Sequence, residues 1–221
     1  MRVYPFILSI AVTAAVSFCA SDNVRHRKSI VVRDPEETVL VNTVDLNLKD
    51  LSGMDLRGMD LKNADFENKN LSRANLSGSD LSGANMKNAN LENADLHNAN
   101  LTNADFTNSN LKKADLRGAD LTGVKMTNVD LTNADLSGAK MFLSIVNNSN
   151  CSGAKLQKAQ LNSTDFSGSI MIKVDFTFSD LDNVKFKGAS VEGAIINKAY
   201  KKVLENQYIY GLQSVIWTEE K

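Results

Sequence analysis

Residues 84–108 read ANMKN ANLEN ADLHN ANLTN ADFTN, five blocks of five with one pattern. Each block has a small residue, Asp or Asn, an apolar residue and two polar residues. The apolar position falls at Met86, Leu91, Leu96, Leu101 and Phe106. Reading outward, the register holds from Leu46 to Ile196, which makes 31 pentads without an insertion. A helix is excluded, because about 100° per residue would turn the apolar stripe by roughly 500° per block and spread it around the cylinder. In an extended chain, positions two apart share a face, so Ala64 and Phe66 point inward while Asp65 points out. Five is odd, and a straight strand would send the next apolar residue to the wrong side. The chain must therefore turn once in every pentad, and right-angle turns close after four pentads.

The pattern resembles that of the pentapeptide-repeat family, A(D/N)Lxx, over 155 of the 221 residues. The resemblance implies an all-β fold, a right-handed quadrilateral β-helix of about seven to eight coils with a short C-terminal helical cap. A period of 20 is visible independently. Phe66, Phe106, Phe166 and Phe186 differ by multiples of 20, and Met86, Met126 and Val146 fill the steps between them. These seven residues predict a ladder of larger side chains on one wall. Asn68, Asn88, Asn108, Asn128 and Asn148 recur on the same wall and predict an outward amide ladder.

Each coil of such a solenoid contacts only its neighbours, so both open ends need covers. Residues 29–32 and 38–41 read as strands for the N-terminal end. Ala199 to Trp217 reads as a helix-containing C-terminal cap, or alternatively as an arm for a partner. The expected organisation is a leader over 1–20, a cap or linker over 21–43, the β-helix over 44–198 and the cap over 199–221.

Composition excludes several function classes. Lys and Arg (25) nearly cancel Asp and Glu (26), for a net charge of −1. That balance argues against a nucleic-acid binder working by bulk positive charge, and against a strongly acidic mimic of nucleic acid. Two cysteines and two histidines supply neither a disulfide scaffold nor a rich metal site. No catalytic, metal-binding or cofactor-binding constellation emerges, and no cofactor is expected. His97 reads as a surface residue between Asp95 and Arg117, and Cys151 as a buried core thiol in the column where Leu belongs. Asp and Asn interchange in the outward column, which points to backbone bonding at the turn rather than to metal ligation.

Departures from the repeat say more. Lys49 and Lys69 fall in the small inward column, so that corner is expected to be distorted or solvated. Lys125, Lys140, Lys155 and Lys185 interrupt the Asp column. Phe142, Leu143 and Ile145 occupy outward positions around one corner, and Ile170 and Ile172 do so on another wall, whereas no large apolar residue points out between Asp50 and Lys140. Two readings stay open: the C-terminal tail covers these residues, or they are an interface for a partner or a second copy.

The N-terminus has the layout of a secretory signal. Met1-Arg2 is basic, Val3 to Phe18 is an apolar run too short for a comfortable membrane span, and polar residues follow. Ala15-Val16-Ser17 offers a cleavage site. Val16-Ser17-Phe18-Cys19 resembles a lipobox with a bulky Phe18, which makes Cys19 a candidate lipidation site and the chain's only expected route to a membrane. The resulting expectation is an exported, non-enzymatic rod, periplasmic or secreted, that works as a structural or protein-interaction scaffold. The family's DNA-mimicking, gyrase-protecting members suggest an alternative. The near-neutral charge, the leader and the unbroken coils disfavour it.

Overall fold

The computed structural model describes residues 30–33, 38–41 and 45–219, so Cys19 and the apolar run before it lie outside the described residues. The chain divides into two units, 1–45 and 46–221. In the first, β1 (Ile30–Arg33) and β2 (Thr38–Val41) pair antiparallel, from Ile30 opposite Val41 to Arg33 opposite Thr38.

The second unit is the repeat. Parallel bridges join residues 20 apart, from Asp50–Asn70 through to Ser190–Tyr210, so four pentads make one coil. The pentad around Leu96 shows how the backbone is satisfied. The Leu96 and Asn98 amides donate to Asp115 and Arg117 in the next coil at 2.7 and 2.9 Å, and the Asp95 amide donates to Ala74 in the preceding one at 2.9 Å. The turn closes through the Ala99 amide and the Leu96 carbonyl at 3.1 Å, with Asn98 at φ 55. A type II turn imposes positive φ on its third residue, which explains why Asn and Gly dominate that column. One amide of the five still lacks a backbone partner, and the His97 amide meets this need by donating to Asp95 Oδ1 at 3.1 Å. The same bond recurs at Asn70, Asp80, Asn100 and Asp120. Only a carbonyl-type oxygen is required, so Asp and Asn serve equally.

The inward columns form one continuous core. Phe66, Met86, Phe106, Met126, Val146, Phe166 and Phe186 are all buried along one wall. Phe166 stacks on Phe186 at 5.7 Å, and Phe176 from another wall meets both rings edge-on at 6.4 and 5.9 Å. The predicted amide ladder bonds over three of its five members: Asn108 donates to Asn88, and Asn128 to Asn108, each at 3.2 Å. A second ladder, which the sequence reading did not single out, runs through Asn110, Asn90, Asn70 and Asp50. Lys49 is exposed, while Lys69 is half-buried with its ammonium donating to the Leu48 carbonyl at 3.3 Å.

The C-terminal tail contains the expected short helix and adds a strand that the sequence reading did not foresee. After β3 (Ile195–Asn197) and a 3-10 turn, α1 (Lys201–Glu205) lasts only five residues, and the chain ends as strand β4 (Ile216–Thr218), parallel to β3. Leu204 and Val215 are buried, whereas Val203, Tyr208 and Ile216 remain exposed. The open edge of the last coil, not a hydrophobic face alone, dictates the cap, and a strand can supply the missing backbone partners where a helix cannot.

Candidate interaction surface

Several outward charges are neutralised locally along the rod. Asp55 pairs with Arg57 at 2.8 Å, Asp80 with Lys62 at 3.3 Å, Asp105 with Lys87 at 3.4 Å, and Asp135 with Lys155 at 3.4 Å. Arg117, one coil on from His97, forks onto Asp115, its Nε at 2.8 Å and its Nη2 at 2.5 Å. These bonds hold the Asp115 carboxyl below the usual carboxylate range. His97 Nδ1 lies 2.6 Å from Asp95 Oδ1, and the potential ligand atoms of Asp95, His97 and Asp115 lie within 4.8 Å of one another. A cation entering this group would have to displace the Arg117 guanidinium from Asp115. Cys151 is buried, and burial pushes its thiol up to about 12, which leaves it protonated at neutral pH.

The apolar corner lies in the open. Phe142 is 47% exposed, Leu143 57% and Ile145 38%. Ser144 between them is buried and donates to the Leu121 carbonyl at 2.7 Å, which pins the turn and throws its neighbours outward. Among the described residues the tail's hydrogen bonds reach only residues 180–198, and Phe142, Leu143 and Ile145 stay exposed, so the reading in which the tail covers this corner is overturned. Ile170 is also exposed, but Ile172 is half-buried and is a weaker candidate than its outward position suggested. Phe178, at 64%, is an exposed apolar residue that the sequence reading missed. The column of positive-φ residues contains it, and reading that column alone would have found it.

The corner also works against the local rules of the fold. Leu143 has φ 57 and Phe178 φ 60, where most of the column is Asn, Gly or Lys. Bulky apolar residues in the left-handed region are strained by about 1 kcal/mol. Lys140 and Ile145 replace the Asp or Asn acceptor of the turn, and among the described residues the Phe142 and Asn147 amides have no protein acceptor. Neither burial nor backbone bonding accounts for these side chains.

Comparison with known proteins comes to bear at this point. The family pattern described as pentapeptide repeats matches in eight copies over residues 50–78, 70–108, 99–138 and 149–188. No curated protein matches the sequence. Among solved structures, trypsin-treated QnrB1, a plasmid-mediated fluoroquinolone resistance protein, aligns with a TM-score of 0.61 at 18% identity, covering 77% of this chain and 86% of its own. HetL from the cyanobacterium Nostoc sp. strain PCC 7120, involved in heterocyst differentiation regulation, aligns at 24% identity and a TM-score of 0.49, covering 76% and 87%. A thylakoid-lumen protein of Arabidopsis thaliana is 34% identical over 51% of this chain and 68% of its own, with a TM-score of 0.26.

Proposed function

The chain belongs to the pentapeptide-repeat family, and from that premise we propose that it is a non-enzymatic protein-interaction scaffold, exported from the cytoplasm. In this reading the coils wind right-handed, about seven to eight of them, as a rigid support for the exposed corner at Phe142, Leu143 and Ile145. One observation carries the proposal: three large apolar side chains stand exposed within four residues at strained or bond-poor positions, on a solenoid that shows none earlier in its coils. Contiguous exposed apolar surface of this kind marks interaction sites.

The rod offers catalysis little. Its outward columns are mostly polar, its cysteine is buried, and several of its carboxylates are paired with cations. The near-neutral net charge of −1 weighs against DNA mimicry, which needs a field of uncompensated negative charge. The likeness to QnrB1 supports the fold and nothing about a target.

Export rests on the leader-like first 20 residues and makes the mature protein periplasmic or secreted, lipid-anchored if Cys19 is modified. Intact-mass measurement of the protein from its own host, with fractionation, tests this. Loss of the first 17 residues or a diacylated Cys19 is the expected result. A chain beginning at Met1 in the cytosol would overturn export. For the interaction role, Phe142→Ser with Ile145→Ser should remove binding while leaving the β-rich circular dichroism spectrum intact.

A further inference from the structure

We propose that the corner's partner is a second copy of this chain, docked antiparallel against the wall that carries Ile145. The proposal rests on the reading of that corner as an interaction surface and names its occupant. The outward column of the wall runs Asp105, Lys125, Ile145, Asp165, Lys185, each bridged to the next one coil on. Its charges are antisymmetric about Ile145. One coil to either side lie Lys125 and Asp165, and two coils to either side lie Asp105 and Lys185. A twofold axis crossing the wall at Ile145 reverses the direction of the second copy. Lys125 then faces Asp165 of the second copy, and Asp105 faces its Lys185.

Because the contact is isologous, each pair occurs twice. Four opposite-charge pairs surround a centre where Phe142, Leu143 and Ile145 meet their own counterparts, an apolar core with a charged rim. The wall's other outward column reads Thr107, Thr127, Asn147, Ser167 and Lys187 in the same coils, short and uncharged around the centre, with one long cation at its end. A parallel arrangement would set Lys125 beside Lys125, so charge selects the antiparallel one.

Two further observations fit this arrangement. Among the described residues, Lys125, Asp165 and Lys185 have no ion pair within 4.0 Å, whereas Asp105 pairs with Lys87 at 3.4 Å and would share its carboxylate with Lys185 of the second copy. Lys125, Ile145 and Lys185 also give up the turn acceptor, and among the described residues the Thr127, Asn147 and Lys187 amides lack a protein partner. The column thus departs from what the coil needs and matches what a reversed copy of itself needs.

From Asp105 to Lys185 the contact spans four coil steps, ~19 Å, which places the dimer among weak, concentration-dependent assemblies. Sedimentation velocity on the full chain, up to about 1 mM, should show a monomer–dimer equilibrium that weakens with added salt. Lys125→Asp or Asp165→Lys alone should weaken the dimer about tenfold or more, since each sets like charges opposite one another twice. Both changes in one chain, or an equimolar mixture of the two single variants, should recover the affinity to within about threefold.

A chain that stays monomeric throughout would overturn the proposal. So would a dimer indifferent to the single reversals, or one that the combined reversal does not restore. If the chain is monomeric yet Phe142→Ser with Ile145→Ser abolishes binding of another protein, this proposal fails and the scaffold reading stands. If those substitutions change neither self-association nor binding, both fail.

Discussion

The side-chain amide of Gln207 stands where the next coil's peptide group would be: the Phe186 amide donates to Gln207 Oε1 at 2.7 Å, and Gln207 Nε2 donates to the Val184 carbonyl at 3.0 Å. One coil earlier, Phe166 and Lys185 make the same two bonds with backbone alone, at 2.8 Å, and at 3.0 Å to the Thr164 carbonyl. A single primary amide reproduces a peptide's donor and acceptor, so it can end a β-helix wall without a further strand. Gln207→Ala should cost about 1–2 kcal/mol in chemical denaturation and speed hydrogen exchange at the Phe186 amide. Gln207→Glu keeps the acceptor but loses the donor, and its cost should be comparable. Unchanged exchange at Phe186 in both would show that the bonds carry no weight.

Within the coils, Leu116 and Arg117 are adjacent but face opposite ways. Leu116 is fully buried in the central column with Leu96 and Leu136. Leu116→Asp leaves an unpaired carboxylate inside and should cost several kcal/mol, enough to abolish a cooperative melt. Arg117→Asp should lower the midpoint far less, and added salt should shrink that loss, because Arg117 sits exposed between stacked carboxylates. Equal losses for the two variants would contradict the inward column.

Stacked carboxylates also set the acid limit. Asp80, Asp105 and Asp115 are all held below the ordinary value of 3.8, Asp115 chiefly by the Arg117 hydrogen bonds. A group depressed in the folded state contributes stability that is fully present above its unfolded pKa and is lost as pH falls through the folded one. The melting midpoint should therefore hold from neutral pH down to about 5 and decline below about 4. In Arg117→Ala the Asp115 carboxyl should titrate closer to 3.8 by NMR. A fall in stability between pH 7 and 5 would point to a different group.

Positive-φ corners make a paired prediction. Gly118 has φ 65, and a Cβ there would lie 2.5 Å from Asn98 Oδ1 in the preceding coil. Gly118→Ala should destabilise by about 1 kcal/mol from the backbone alone, and further because the Asn98 side chain must move. Asn98→Gly in the same chain should recover the second part, so a double-mutant cycle should show coupling. Strict additivity would mean that the amide swings aside freely.

Much of this was legible in the sequence because the repeat is strict. The five-residue period and the recurrence of Phe66, Phe106, Phe166 and Phe186 carry the 20-residue coil, since the central inward column holds only apolar residues. The role of Asp and Asn was legible too, because their interchange leaves a carbonyl-type oxygen as the common chemistry. The tail was not. Its form depends on matching an open backbone edge with an offset of 21 at Ile195–Ile216, and hydrophobic spacing carries no information about that. Phe178 was missed because corner residues look variable until their column is read for size. Sequence places Arg117 one coil on from His97 but does not say which carboxylate its flexible side chain will choose.

The most direct test of the account is the behaviour of Leu143→Asn, measured by thermal melting alongside sedimentation. Leu143 occupies a left-handed position that Asn103 and Asn183 fill elsewhere in the same column, and it is 57% exposed. If the corner exists for recognition rather than for folding, Asn should relieve strain and leave the midpoint equal or raise it by about 2 °C, while association through the corner is lost. A lower midpoint with association intact would show that Leu143 serves the fold, and the exposed corner would no longer be an interaction surface.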